Sequence, residues 1–452
     1  MEMTFEELLK YSEGEIILNN KNKKFNKLST DTRKIEKDNI FLALKGENFN
    51  GNKYVKEAFE KGASIAIVDE VLYNEEEING IVIKVKDTKK ALLSIARGYR
   101  EKLGIKVVAI TGSTGKTSTK DLVSAFLSGK YKVFKTKGNF NNEIGLPLMV
   151  LELDSSIDVA VLEMGMSNFN EIHNLAECAK PDIAMITNIG VSHIENLKTR
   201  ENILKAKMEI TDFFNKNNIL ILNSEDDMLQ TVNSNMYEII NIGYNQNCNY
   251  FAKNIKLDKE TTSFDFNYNG EMNTITLPMV GIHNVLNALL GIAASYKLGL
   301  TVDEIKEGLK NLEATSMRLE FIENEFGIEI INDCYNASPD SMKAALDVLK
   351  NREGKRKIAI LGTMRELGDE ANRCHKEVGE YAKDRVDLLV SCGEHIDDFK
   401  EGFEKDKIKL YNTKVNLIND LNSIIKPGDV VLVKASRGEK FEEIVEELKN
   451  IK

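Results

Sequence analysis

Short runs of consecutive apolar residues recur along the chain, separated by stretches in which apolar positions return every three or four residues. The first runs lie at 40–44, 64–68 and 81–85. A second group lies at 105–110, 158–163, 182–188 and 218–223, and a third at 357–361, 387–391 and 429–434. An apolar run framed by helical periodicity is the pattern of a strand covered by helices. The chain therefore reads as α/β, with mainly parallel sheets. Three regions separate: a small mixed α/β N-terminal domain at 1–102, a central domain at 103–312 and a Rossmann-like C-terminal domain at 313–452. The last has no Gly-x-Gly-x-x-Gly, so its shape does not by itself imply a dinucleotide.

Length agrees with this division, because 452 residues exceed what one core normally organises. A net charge of -10 argues against a general nucleic-acid-binding surface but leaves room for a local basic pocket. The five cysteines are scattered and form no Cys-x-x-Cys pair, which points away from a disulfide framework and a structural zinc site. No apolar run is long enough to span a bilayer, and the opening Met1-Glu2-Met3 is acidic where a signal peptide needs basic residues. The expectation is a cytoplasmic monomer.

One run leads directly into chemistry. The strand at 105–110 feeds Thr111-Gly112-Ser113-Thr114-Gly115-Lys116-Thr117-Ser118, and helical spacing resumes at Thr117. Strand, Gly-rich turn and helix make a phosphate loop, in which backbone N–H groups and the helix N-terminus face a polyphosphate. Lys116 is placed for the β- and γ-phosphates of ATP and the Thr117 hydroxyl for Mg²⁺. The loop departs from the usual pattern, since Ile110 stands where its first Gly is expected.

Glu163 closes the run at 158–163, and His193 follows the end of the run at 182–188. Each alone passes as a surface or packing residue. Together, at the carboxyl ends of parallel strands beside a phosphate loop, they are candidate Mg²⁺ ligands. Lys207 taken alone reads as a solvated helical charge.

These residues, in order, resemble the Mur ligases, ATP-dependent enzymes that build the peptide of bacterial peptidoglycan. The resemblance is carried by the phosphate loop, Gly138-Asn139-Phe140-Asn141-Asn142-Glu143-Ile144-Gly145, Glu163-Met164-Gly165, Thr187-Asn188-Ile189 with His193, and Lys207. Asn223, His283-Asn284 and Arg318 continue it. Ser29-Thr30-Asp31-Thr32-Arg33, Asn332-Asp333-Cys334-Tyr335-Asn336 and Leu361-Gly362-Thr363-Met364-Arg365-Glu366-Leu367-Gly368 point to the branch that joins D-alanyl-D-alanine to UDP-N-acetylmuramoyl-tripeptide. Asn332, Ser338, Asn170, Thr363 and Ala435 depart from that branch's common residues.

The resemblance implies transfer of the γ-phosphate to the tripeptide carboxylate, then attack by the dipeptide amine on the acyl phosphate. It implies ATP contacts from Gly112, Ser113, Thr114, Gly115, Lys116, Thr117, Ser118, Asn142, Asn223, Asn284 and Arg318. Metal contacts are implied for Thr117, Glu163, His193 and Lys207, the last carbamylated by CO₂ and so turned from a cation into an anion. Catalytic roles fall to Lys116, Lys207, His193 and Asp333. Thr32, Arg33, Lys45 and Gly46 are expected at the UDP end, and Asp333 and Asn336 at D-alanyl-D-alanine, although 333–339 also reads as an Asx-rich turn. The N-terminal domain would hold the UDP substrate and the central domain ATP; the C-terminal domain would bind the dipeptide and close on ATP. A sister ligase adding one amino acid, a folylpolyglutamate synthase-like enzyme and, more remotely, a non-catalytic nucleotide switch are the alternatives.

Overall fold

Apolar strands of this chain gather into three sheets in a computed structural model that describes residues 1–19, 23–313 and 315–451. The first holds β1 (Glu15–Asn19), β2 (Lys27–Ser29), β3 (Asn39–Leu42), β4 (Ile65–Val68) and β5 (Ile81–Lys84), in the order β1-β5-β4-β3-β2. Only β1 runs antiparallel to its neighbour. The helix Thr88–Leu103 ties this sheet to the next. Its Tyr99 is fully buried, and the hydroxyl donates to Leu153 O at 2.7 Å while accepting from Glu2 N at 2.9 Å.

The second sheet holds β6 (Lys106–Thr111), β7 (Val133–Lys135), β8 (Val159–Glu163), β9 (Ile183–Ile186), β10 (Ile219–Asn223), β11 (Glu238–Gly243), β12 (Tyr250–Leu257), β13 (Thr262–Tyr268) and β14 (Glu271–Leu277). Their order is β14-β13-β12-β11-β10-β9-β6-β8-β7. After β6 the chain builds outward to β8 and β7, then returns to β9 on the other side of β6. This reversal opens a crevice at the carboxyl ends of β6, β8 and β9, where open α/β sheets receive ligands.

The sheet is parallel from β7 to β12, as the alternation of strand and helix predicts, but β12, β13 and β14 form an antiparallel meander. The cause is local. Thr262, Phe264, Phe266 and Tyr268 alternate with more exposed residues, the period-two signature of a strand covered on one face. The Asn269-Gly270 turn, with φ of 50° and 83°, then supplies the positive angles that a two-residue hairpin needs.

The third sheet holds β15 (Glu320–Glu323), β16 (Glu329–Asn332), β17 (Arg356–Gly362), β18 (Leu388–Cys392), β19 (Ile408–Tyr411) and β20 (Asp429–Lys434), ordered β15-β16-β20-β17-β18-β19. It is parallel apart from the β15–β16 hairpin. The chain is therefore an α/β protein of three sheets. Among the described residues, no helix is long and apolar enough to cross a membrane.

Candidate functional site

The loop after β6 is braced by the strand beside it. Ser113 N donates to Asn188 O at 3.0 Å, and Thr114 N to Asn188 Oδ1 at 2.9 Å. The Thr187 hydroxyl donates to Thr114 O at 2.5 Å. Gly112, at φ 152°, leaves no room for a side chain, because a Cβ there would lie 1.8 Å from Thr187 Oγ1. The loop's backbone amides are thus oriented by β9 as well as by its own turn. Ile110, where the first Gly of the usual pattern is expected, is a fully buried residue of β6.

Thr117 and Glu163 meet beneath the loop. Thr117 Oγ1 donates to Glu163 Oε2 at 3.0 Å, and both residues are buried. Asn141 Nδ2 holds the other carboxylate oxygen at 2.8 Å, and the Glu163 N–H donates to Thr136 Oγ1 at 3.0 Å. Lys116 Nζ donates to Gly112 O at 2.7 Å, and burial holds its ammonium below its ordinary pKa. Lys207 is also buried, with no hydrogen-bond or ion-pair partner among the described residues. Desolvation, reinforced by the Lys116 charge, holds its pKa well below the usual lysine value.

The C-terminal sheet completes the wall. Arg318 Nη2 donates to Thr117 Oγ1 at 3.0 Å, with the guanidinium 4.3 Å from the Tyr335 ring centroid. Asp333 Oδ2 receives Lys434 Nζ at 2.5 Å, and Asp333 Oδ1 accepts from Leu319 N at 3.2 Å. His193 Nδ1 lies 2.7 Å from Glu366 Oε2. A cavity of about 590 Å³ runs from the phosphate loop past Asn223, His283, Asn284 and Asn287 to Arg318, Asp333 and Asn336. Its far end is bounded by Lys259 and Glu260 in the β12–β13 turn, and by Phe321, Glu329 and Arg352. That volume is within the range of cavities that bury a nucleotide-sized ligand.

The structure thus brings together Gly115, Lys116, Thr117, Ser118, Asn223, Asn284, Arg318, Asp333 and Asn336 around one cavity. Asn142 does not line this cavity: its Oδ1 accepts from Gly145 N at 2.8 Å at the start of the helix Gly145–Val150, while its neighbour Asn141 reaches Glu163. Asp333 and Asn336, expected at the dipeptide, line the same cavity as the phosphate loop. The UDP-end candidates lie apart on the first sheet. There Arg33 forms a two-pronged pair with Asp31 at 2.9 Å on each prong, drawing that carboxyl down to about 2. Thr32 donates to Glu57 Oε1 at 3.1 Å, Lys45 pairs with Glu70, and Gly46 N donates to Phe49 O at 2.8 Å.

Sequence reasoning did not single out Asn141, Asn188, Glu366 or Lys434 as site residues. Asn141, Asn188 and Glu366 sit within quoted motifs and Lys434 ends the run at 429–434, but only tertiary placement distinguishes each from its neighbours.

A hydroxyl–carboxylate pair of hard oxygens under a phosphate loop fits Mg²⁺, which takes one or two protein ligands and completes its shell with water and phosphate oxygens. No cluster of three or more His, Cys, Asp or Glu side chains that could hold a metal occurs among the described residues.

A phosphate loop on the second sheet, faced by cations of the third sheet's domain and with the first sheet alongside, is the arrangement of a three-domain ATP-dependent ligase. Family models agree along the chain: the Mur ligase family catalytic domain at 24–100, the Mur ligase middle domain at 110–295, and the Mur ligase glutamate ligase domain at 317–437. The chain is 42% identical to UDP-N-acetylmuramoyl-tripeptide–D-alanyl-D-alanine ligase of Bacillus subtilis, over 93% of this chain and 92% of that protein. MurF from Acinetobacter baumannii superposes with a TM-score of 0.91 at 29% identity, covering 99% of both chains. MurF from Thermotoga maritima, solved in complex with ADP, gives 0.83 at 30% identity over 94% of this chain and 97% of that one. The chain belongs to the Mur ligase family.

Proposed function

We propose that this enzyme joins D-alanyl-D-alanine to UDP-N-acetylmuramoyl-tripeptide in the cytoplasm, converting ATP to ADP and phosphate as it builds a peptidoglycan precursor. The observation that carries the reading is the cavity lined by both the phosphate loop and Arg318, with Thr117 bonded to Arg318 on one side and to Glu163 on the other. This occurs in a chain that matches ligases of that name over nearly its whole length.

The chemistry asked of the site is activation of a carboxylate, whose own leaving group would be oxide. A carboxylate oxygen of the tripeptide attacks the γ-phosphorus, and the bond to the ADP oxygen breaks. The dipeptide amine then attacks the acyl carbon of the resulting acyl phosphate, phosphate leaves with its bridging oxygen, and the amine gives up a proton. Lys116 and Arg318 neutralise charge on the transferring phosphoryl group. Thr117 and Glu163 would hold Mg²⁺, and His193 and Lys207 would serve a second position; a metal bound there would supply charge neutralisation to the transferring phosphoryl group. Asn223 and Asn284 face the nucleoside. Asp333, fixed by Lys434 on the same cavity wall, is assigned to the ribose hydroxyls; Asn336, at the cavity mouth, remains the candidate for the dipeptide. Thr32, Arg33, Lys45 and Gly46 receive the UDP end.

Lys207 is assigned as a carbamate. A buried ammonium with no counter-ion beside Lys116 is electrostatically unfavourable, and the neutral amine that burial favours is the form that reacts with CO₂. The carbamate turns this position into an anion able to face both a metal and Lys116.

The catalytic unit proposed is a monomer that draws the groups named from all three of its sheet domains. Incubation with ATP, D-alanyl-D-alanine and UDP-N-acetylmuramoyl-tripeptide ending in either diaminopimelate or lysine should yield the pentapeptide product with stoichiometric phosphate. Product formed only with a free amino acid would transfer the enzyme to a sister activity.

A further inference from the structure

His193 follows β9 on a strained backbone, and the residue it meets is strained as well. His193 has φ 64° and Glu366 φ 65°, the left-handed region that residues other than Gly occupy at a cost. Glu366 belongs to the loop after β17, on the other side of the boundary between the second and third sheets. That loop is strapped down. Met364 N donates to His375 Nε2 at 2.8 Å, Arg365 N donates to Ser436 Oγ at 2.9 Å, and Leu367 is buried. Across the boundary, Glu195 N donates to Glu366 O at 3.3 Å, so the backbone of Glu366 is gripped as well as its side chain. His193 Nδ1 is buried and has no hydrogen-bond partner among the described residues; Glu366 Oε2 lies 2.7 Å from it, within reach of the ring N–H but not aligned with it. An incidental surface ion pair contributes about 0–1 kcal/mol and gives no reason for strained residues on both sides of it.

We propose that Glu366 is the positioning residue for His193: its carboxylate takes the Nδ1–H, leaving the Nε2 lone pair free for a divalent cation, so that the second metal position is complete only when the two sheets are closed on each other. The inference rests on the reading of His193 as a metal ligand and deepens it. The arrangement is the carboxylate–histidine–metal relay, in which an outer carboxylate fixes the tautomer and orientation of the ligating imidazole. Here the outer carboxylate comes from a different sheet, so metal retention and domain closure become one event.

The test uses Mn²⁺ as a spin probe on the full chain with ADP. Electron paramagnetic resonance titrations compare wild type, His193→Ala, Glu366→Ala and Glu366→Gln. His193→Ala and Glu366→Ala are each expected to weaken one Mn²⁺ position by about 10–100-fold. Glu366→Gln, whose amide oxygen still accepts from Nδ1–H, should recover most of that loss. Nitrogen-15 spectra of the five histidines add a readout independent of turnover: the His193 ring should be Nδ1-protonated in wild type and Glu366→Gln, and lose that preference in Glu366→Ala. If His193→Ala leaves Mn²⁺ binding unchanged, the metal reading of His193 fails and the proposal falls with it. If His193→Ala weakens binding while Glu366→Ala does not, the proposal alone is overturned. Should Glu366→Ala fail to fold, an unaltered His193 tautomer in Glu366→Lys overturns it equally.

Discussion

Arg318 and Thr117 meet at 3.0 Å across the boundary between the second and third sheets, guanidinium to hydroxyl. The hydroxyl is shared, because Thr117 in turn donates to Glu163. A single atom of the phosphate-loop helix therefore connects the proposed metal carboxylate to the cation of the facing domain.

Replacing Arg318 with Met keeps much of the stem packing on Tyr335 and removes the charge. We expect kcat to fall about 10²-fold or more, the range for one lost transition-state donor, with little change in melting temperature. Phosphate-release kinetics with saturating dipeptide check this, and unchanged kcat would remove Arg318 from the phosphoryl group.

Glu163→Gln preserves the shape of the buried pair and removes its charge. The Mg²⁺ concentration giving half-maximal activity should rise by at least about tenfold, since even outer-shell changes cost that much. A titration of activity against free Mg²⁺ decides, and an unshifted midpoint would move the metal elsewhere.

Lys207→Ala should lose activity that added bicarbonate does not restore. Carbon-13 spectra of wild type equilibrated with labelled CO₂ should show a carbamate resonance that the variant lacks. Full turnover by Lys207→Ala would refute the role.

Burial pushes the His375 imidazole down to about 4 from an ordinary value near 6.5. The unfolded chain therefore binds the proton first as pH falls, and stability is lost between roughly 6.5 and 4, by about 3 kcal/mol at most. His375 Nε2 accepts from Met364 N in the neutral form, so the loop carrying Glu366 loosens in the same window. Denaturant unfolding of wild type and His375→Gln between pH 7 and 4.5 should show a smaller stability loss in the variant; parallel curves would exclude His375 as a source.

Arg352 is buried in the third sheet's domain, pairs with Glu329, stacks over Phe321 at 4.5 Å and donates to Lys259 O in the β12–β13 turn. It pins the meander over the far end of the cavity. Arg352→Met leaves Glu329 unpaired and should raise KM for ATP several-fold while costing about 3 kcal/mol of stability. An unaltered KM would show that the turn does not contribute to nucleotide binding.

Much of this was legible in the chain because the signals were local. Apolar runs marked β3, β4, β5, β6, β8, β9, β10, β17, β18 and β20, and the phosphate loop announced itself between strand and helix. The meander was missed because its strands bury one face only, and the alternation of Thr262, Phe264, Phe266 and Tyr268 is weaker in hydropathy than a continuous run. Asn142 and Asn141 show the limit at the site: two identical side chains in succession, of which one accepts from Gly145 N at the start of a helix and the other holds Glu163. Glu366 was invisible for a different reason. Its partner lies in another sheet, and no spacing along the chain encodes that meeting.

The segment crossing from the second sheet to the third is fastened to the phosphate-loop helix itself. Thr315 donates to Asp121 Oδ2 at 2.7 Å, and Arg318 follows onto Thr117. The junction between the two sheets is thus anchored beside the phosphate loop rather than at the periphery. Whatever orients that helix also orients the first residues of the third sheet's domain, so the loop and the entry to that domain form one mechanical unit.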